Sequence, residues 1–267
     1  MKYGFIGVGN MGGAILHGLL DSGAITTENT IICGRDYEKT SRMANDLGIE
    51  AVREQRALVE RSDIFFLGVE PKNFKDIMPA VAKGYDDKKL CVSMAAGIMI
   101  DYLESFLGED SKVIRIMPNT PAKVGEIMVS VSRNANVTDE EVETIVRLFS
   151  SMGKAAEVSE DLIHAVIGVS GSSPAYTYMY IDALAKSAAD YGMSPDKARV
   201  FAAQAVIGAA KMVLSTNEDL GKLVKNVCSP GGTTIEAVES LQDSGFEKIV
   251  EKAAKAAIEK SISMSKQ

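Results

Sequence analysis

The 267-residue chain has no tryptophan, and it is poor in histidine and cysteine. The two histidines, His17 and His164, are too few and too far apart for a zinc site. Three cysteines, Cys33, Cys91 and Cys228, are odd in number and scattered. Neither a disulfide framework nor a CxxC metal site fits them, so no metal is expected. A reducing cytoplasm is the expected home. No continuous apolar run approaches the roughly 20 residues that span a bilayer. The chain opens directly on strand-like residues, and neither a signal segment nor a membrane partner is expected. Positive charge is in deficit: 29 Lys and Arg against 36 Asp and Glu give a net charge of −7. That balance argues against a nucleic-acid or anionic-membrane surface. What remains is 46% hydrophobic and 24% charged, an ordinary globular composition, long enough for one large domain or two smaller ones.

The first motif is Gly7-Val8-Gly9-Asn10-Met11-Gly12, reached by the apolar run from Tyr3 to Ile6. Ile15, Leu16, Leu19 and Leu20 then repeat at helical spacing, with Gly23 as a stop. Strand, glycine turn and helix in this order form a dinucleotide-binding fingerprint. Gly7 permits the turn, Gly9 lets a pyrophosphate approach the backbone, and Gly12 lets helix and strand pack closely. Unpaired N–H groups at the helix start, from Asn10 and Met11 onward, would face the phosphates.

The second strand, Thr30–Cys33, closes on Gly34-Arg35-Asp36, about 20 residues past the turn, where the adenosine ribose is read. A carboxylate here suits the free 2′-hydroxyl of NAD; a guanidinium suits the 2′-phosphate of NADP. Both are present. Gly34 leaves room for a phosphate, and Asp36 has a second task available as cap of a helix starting near Tyr37. The reading is NADPH, with NADH left open. Strands follow near Ile49–Val52, Asp63–Val69, Leu90–Met94, Val113–Met117 and Ile127–Val131, with helices between several of them. The unbroken apolar run of the Asp63–Val69 strand suits a buried parallel strand. Pro71 suits the first turn of the helix carrying Phe74, Ile77, Met78 and Val81. Ala95 and Ala96, small residues at a strand end, leave space for a ligand. Thr138-Asp139-Glu140-Glu141 is a capping box opening a helix to about Met152.

The β/α alternation ends near Val158, and from Asp161 onward only helices are expected, over about 161–169, 174–191, 195–214, 218–228, 231–241 and 245–264. The expected fold is therefore α/β: a Rossmann dinucleotide-binding domain over residues 1–160, then an all-helical domain over 161–267. The 195–214 helix has almost no polar face. It must be buried nearly all round, which a domain this small does poorly alone. A homodimer or higher homo-oligomer built on the helical domains is expected.

Two elements of the helical part offer hydroxyls and free N–H groups before a helix: Ser170-Gly171-Ser172-Ser173-Pro174 and Ser229-Pro230-Gly231-Gly232-Thr233-Thr234. Plain capping, with Ser229 as N-cap and Pro230 first in the helix, explains part of the second. Its paired glycines and paired threonines exceed what a cap needs and point to an anion. Hydroxyacid dehydrogenases of similar architecture carry a lysine and an asparagine one helical turn apart near this first element; both are missing here. Reducing a carbonyl needs a proton donor for the developing alkoxide. A protonated imine already carries the charge on nitrogen, so a hydroxyl-lined site fits an imine better than a ketone.

Phe5–Gly12, Val92–Ile98, Met117–Pro121, Ser170–Tyr176 and Ser229–Thr234 together resemble the pyrroline-5-carboxylate reductase family, in order and over almost the whole chain. The resemblance implies a Rossmann domain, a helical dimerisation domain, and NAD(P)H reducing a small cyclic imine carboxylate to proline, the last step of proline biosynthesis. It places Asn119 and the Ala95–Ala96 region along the nicotinamide end of the cofactor, and Val69 and Pro71 among the cofactor contacts. Ser229, Gly231, Gly232, Thr233 and Thr234 would hold the substrate, with Thr234 at the ring nitrogen as the catalytic residue. Two positions depart from the family pattern: Glu70 stands where lysine is usual, with Lys72 two positions on, and Ser173 replaces a glycine. A reductase of another cyclic imine carboxylate, or a non-catalytic NADPH sensor, are the alternatives.

Overall fold

In the computed structural model, which describes residues 1–265, eight strands form one sheet. The chain runs β1 (Tyr3–Ile6), α1 (Asn10–Asp21), β2 (Thr30–Cys33), α2 (Tyr37–Leu47), β3 (Glu50–Ala51), α3 (Gln55–Glu60), β4 (Ile64–Leu67), α4 (Phe74–Gly84), β5 (Leu90–Ser93), α5 (Ile100–Leu107) and β6 (Lys112–Met117). Then come β7 (Ile127–Arg133), α6 (Asp139–Ser150), β8 (Gly153–Glu157) and α7 (Ile163–Val166). The remaining helices are α8 (Ser173–Asp190), α9 (Pro195–Ser215), α10 (Leu220–Val227), α11 (Thr233–Asp243) and α12 (Phe246–Ser265).

The sheet order is β3-β2-β1-β4-β5-β6-β7-β8. β1 to β6 are mutually parallel, and β7 turns back against β6. The connection from β6 to β7 holds only a 3₁₀ turn, Thr120–Val124. It is too short for the helical crossover that a parallel neighbour requires, so the pair is antiparallel.

Alternate strand residues serve opposite faces. Phe5, Ile32, Phe66, Val92 and Ile114 pack with Ile15, Leu16 and Leu19 of α1 and Val142, Ile145 and Phe149 of α6. Phe5 and Phe66 stack at 4.6 Å, and Phe149 meets Phe66 edge-on at 6.1 Å. Ile6, Cys33, Phe65, Leu67, Cys91 and Val113 face the other way, against Leu58 and Val59 of α3, Phe74, Met78 and Val81 of α4, and Leu103 of α5. Burial on both faces is why these strands read as continuous apolar runs. Cys33 and Cys91 are buried free thiols inside this second layer. Desolvation pushes the Cys33 thiol up to about 11, so both serve as small apolar residues rather than nucleophiles.

The chain forms two compact units, Met1–Gly171 with the described residues of Ile258–Gln267, and Ser172–Ala257. The first unit therefore extends past the 160/161 division expected from composition. Two ties account for this. Asn119 Nδ2 donates to the Ser170 carbonyl and hydroxyl, both at 3.3 Å, and holds the π-helical turn Ile167–Gly171. His164 meets Ser261 at 2.8 Å through Nδ1 and Ser265 at 3.4 Å through Nε2, which recruits the end of α12.

In the second unit α8 packs on α9, yet only Ala198 and Ala202 are buried there. Val200, Phe201, Ile207, Met212 and Leu214 of α9 are exposed. The expected burial of this helix on nearly all sides is thus not supplied by the chain itself. α9 is also long and apolar enough to cross a membrane, although Asp196, Lys197, Arg199 and Lys211 interrupt its apolar run.

Candidate active site

The strand ends set the first candidate site. Ile6 pairs with both Cys33 and Leu67, Leu67 with Ser93, and Ser93 with Arg115. β1, β2, β4 and β5 thus finish level and β6 runs two residues further, so their carboxyl-end loops lie side by side. Those loops are Gly7–Gly12, Gly34–Asp36, Gly68–Pro71, Met94–Gly97 and Pro118–Asn119. The chain reverses its winding between β1 and β4, where open α/β sheets bind their ligands.

The three glycines of the first loop differ in what demands them. Gly7 has φ +90° and donates its N–H to the Cys33 carbonyl at 2.8 Å. A Cβ on Gly12 would run into the Gly7 carbonyl oxygen. Gly9 has an ordinary φ of −74°, and a Cβ there would meet nothing within 4 Å. Neither backbone nor packing requires glycine at that position; a ligand lying on the backbone would. Gly9 is the N-cap of α1, with no side-chain cap and no acidic residue in the first turn. Among the described residues no hydrogen bond engages the N–H groups of Asn10, Met11 and Gly12. Free N–H groups at an uncapped helix start can hold an anion such as a pyrophosphate. Gly9→Ala is expected to lower the melting temperature by no more than a few degrees, the cost of a poorer N-cap. It should weaken dinucleotide binding by about 10–100-fold, the effect of a methyl group forced into a close contact. Calorimetry and fluorescence titration read the two effects separately. Unchanged dinucleotide affinity in this variant would return Gly9 to a purely structural role.

At the second loop Arg35 is exposed. Asp36 caps α2, accepting from the Lys39 N–H at 3.0 Å. Gly34 has an internal reason to be glycine: a Cβ would strike the Thr40 hydroxyl, which donates to the Asp36 carbonyl at 2.7 Å. The room at Gly34 is therefore taken up by the protein itself. In the third loop Val69 lies against Gly7 and Pro71 opens a 3₁₀ turn. Glu70 pairs with Lys72 at 2.6 Å. That bond, reinforced by the charge of Arg35, holds its carboxyl below the ordinary glutamate range. Lys72, two positions past Glu70, is thus occupied by that carboxylate.

Ala95 is buried and Ala96 exposed at the end of β5. Asn119 is 8% exposed, and both ends of its amide are engaged within the protein. Its Oδ1 accepts from the Met128 N–H at 3.0 Å while Nδ2 holds Ser170. Its visible work is to lock the end of β6 to β7 and to the turn before α8. A cavity of about 660 Å³ runs along α1, lined by Gly13, His17, Lys123 and Met152. Of the expected site residues only Gly9 and Asn10 reach it.

A second candidate site, within the other compact unit, is the start of α11. The helix begins at Thr233, and its N-cap is Gly232, not Ser229. Pro230 is likewise outside the helix. Ser229–Gly232 form a turn ahead of it, closed by Gly232 N–H to the Ser229 carbonyl at 3.0 Å, with Gly231 left-handed at φ +68°. The capping explanation of this motif therefore fails, because Gly232 has no side chain to cap with. Among the described residues the N–H groups of Thr233, Thr234 and Ile235 and the hydroxyls of Ser229, Thr233 and Thr234 make no hydrogen bond. Thr234 is half-buried, and Ser229 and Thr233 are exposed. A turn presenting three free hydroxyls over an uncapped helix start can hold a carboxylate. At the first Ser-Gly element Ser173 is the first residue of α8 and accepts from the Thr177 hydroxyl at 3.0 Å through its carbonyl.

A protein from Escherichia coli called pyrroline-5-carboxylate reductase is 44% identical over 265 residues, 99% of this chain and 98% of its own. The chain belongs to the pyrroline-5-carboxylate reductase family. Residues 160–264 match the family description "Pyrroline-5-carboxylate reductase dimerisation", and residues 2–97 match "NADP oxidoreductase coenzyme F420-dependent". Among solved structures, a pyrroline-5-carboxylate reductase from Coxiella burnetii superposes with a TM-score of 0.92 at 29% identity, over 100% of this chain and 99% of that one. A Plasmodium falciparum pyrroline carboxylate reductase with NADP bound gives 0.87 at 29% identity, over 99% and 98%. Membership of this family makes the chain a Rossmann reductase with a helical C-terminal part.

Proposed function

We infer that this protein reduces Δ1-pyrroline-5-carboxylate to L-proline with NADPH, closing a proline biosynthetic route. The observation that carries the reading is the uncapped α11 start with its three free hydroxyls, in a full-length relative of pyrroline-5-carboxylate reductases. Bound NADPH supplies a hydride to the imine carbon, and the C=N electron pair goes to the protonated ring nitrogen, giving the secondary amine. The chain's part is to hold and orient. The N–H groups at Thr233 and Thr234 and the Ser229 hydroxyl take the substrate carboxylate. The Thr234 hydroxyl takes the ring nitrogen. The α1 start takes the pyrophosphate, and Val69, Pro71, Ala95, Ala96 and Asn119 line the rest of the cofactor's path. The cofactor is assigned to residues 1–160 and the substrate motif with dimerisation to 161–267.

The working form is a homo-oligomer based on a dimer, because the exposed apolar face of α9 needs a cover. The buried free thiols suit a reducing cytoplasm. The charge of −7 leaves nucleic acid and anionic lipid outside its partners. Following NADPH absorbance with pyrroline-5-carboxylate and with its six-membered homologue tests the function. Faster turnover of the six-membered ring would reassign the substrate, and NADPH binding without turnover of either would make the protein a sensor.

Arg35 pairs with the 2′-phosphate in this reading. A charge-assisted pair of this kind contributes about 1.5–3 kcal/mol where it is shielded from water. Arg35→Ala should therefore raise KM for NADPH and leave KM for NADH nearly unchanged. Equal changes in both would reduce Arg35 to a surface charge.

A further inference from the structure

Arg53 lies in the loop after β3. Val52 N–H donates to the Ile32 carbonyl at 2.9 Å, and the Arg53 carbonyl accepts from the Cys33 thiol at 3.6 Å. Its backbone is thereby tied to the end of β2, immediately before Gly34-Arg35. Its guanidinium carbon sits 3.8 Å over the ring centroid of Tyr37, the first residue of α2. Two exposed arginines from neighbouring strand ends thus stand at the corner where an adenosine ribose is read.

Neither makes an ion pair among the described residues. Several acids of the neighbourhood have other work. Asp36 caps α2, Glu50 is held by Arg61, Glu60 by Arg56, and Glu70 by Lys72. Two guanidinium groups without a direct ion-pair partner in one corner of a chain of net charge −7, with only the longer-range attraction of Glu70 for Arg35, suit an anion that arrives from outside. The Tyr37 ring takes one face of the Arg53 guanidinium and leaves its N–H edge available. An arginine already held in place loses less freedom on binding than a free surface arginine does.

We propose that Arg53, braced by Tyr37, is a second guanidinium for the cofactor's 2′-phosphate, so that selection of NADPH over NADH is shared between the ends of β2 and β3. This rests on the reductase reading above for its cofactor, and adds Arg53 and Tyr37 to the residues that set its identity. A 2′-phosphate carries enough acceptor oxygens for both forks. Adenine stacking on Arg53 is the competing use, and it would serve both cofactors equally.

Fluorescence titration of the full-length assembled protein with NADPH and with NADH tests this, with 2′-AMP and 5′-AMP as competitors. Arg53→Gln is expected to weaken NADPH and 2′-AMP by about 10–100-fold and NADH and 5′-AMP less than twofold. Tyr37→Leu should weaken NADPH by about 2–5-fold with NADH unmoved, as expected for loss of an exposed cation–π brace. Arg53→Lys should restore only part of the selectivity, because it keeps the charge and loses the fork. A similar loss for NADPH and NADH in Arg53→Gln, or no loss for either, overturns the proposal. Because binding is read without turnover, a wild-type protein that binds NADPH but reduces no imine would remove the reductase reading and leave the Arg53 result standing. Conversely, full imine reduction by an Arg53→Gln protein with unchanged NADPH affinity removes only this proposal.

Discussion

Thr234→Val is expected to cut kcat by about 10–1000-fold while NADPH binding, read by fluorescence, stays at the wild-type level. The substitution conserves shape and removes one hydroxyl. That hydroxyl has no hydrogen-bond partner among the described residues, and Thr234 is half-buried in the first turn of α11. Its removal therefore breaks nothing inside the fold, and melting behaviour should stay close to wild type. In the proposed reaction the imine nitrogen gains an electron pair as the hydride arrives. A hydrogen bond at that nitrogen tightens during the step and lowers the barrier more than it lowers the ground state. The range corresponds to about 1.4–4 kcal/mol of barrier. If the hydroxyl only helped to seat the carboxylate, KM would rise and kcat would hold. A variant turning over at the wild-type rate would remove Thr234 from the chemistry.

The part of the site that sequence made legible is the part encoded by local rules. Gly7-x-Gly9-x-x-Gly12 carries its own turn geometry, and Thr138–Glu141 forms the capping box its spacing predicts. Asp36 caps α2 as its position before a helix suggests. The misses come from partners distant in sequence. α5 escaped notice because Met99, its N-cap, has no capping side chain. Ile100 N–H is satisfied instead by Glu160, which also pairs with the buried Arg115 at 3.0 Å. Nothing within a helix-length window reports that arrangement. Tyr37 and Arg53 meet only because β3 lies beside β2. Ser-Pro before a glycine pair reads as cap and first turn, but left-handed Gly231 delays the helix to Thr233. The strand of β7 was readable, whereas its reversed direction rests on a 3₁₀ turn standing where a helix would be needed for a crossover.

Light scattering at micromolar concentration should give at least twice the 28.5 kDa chain mass, and Ile207→Asp should abolish that assembly. Ile207 is 47% exposed in the single chain. On a monomer surface such a change ordinarily shifts stability by less than about 0.5 kcal/mol. At the middle of an apolar contact it buries a carboxylate without a partner, at a cost of several kcal/mol. The same substitution therefore separates a free surface from a covered one. The case for cover is the helix itself: α9 exposes Val200, Phe201, Met212 and Leu214, and α8 beside it exposes Tyr178 and Met179. Ala183, Ala185, Ala188 and Ala189 on α8 are small enough to let a second helix approach closely. An interface that hides this face would exceed roughly 2,000 Å² in total, the size of obligate dimers. Stability should then rise with protein concentration. A bilayer is the other cover long enough for this helix, but α10 to α12 leave Leu220, Val224, Val227, Ile249 and Ile262 exposed among lysines and glutamates. Such a mixed surface suits a protein partner with matching charges better than hydrocarbon. A well-folded wild-type monomer that turns over at micromolar concentration would refute the assembly.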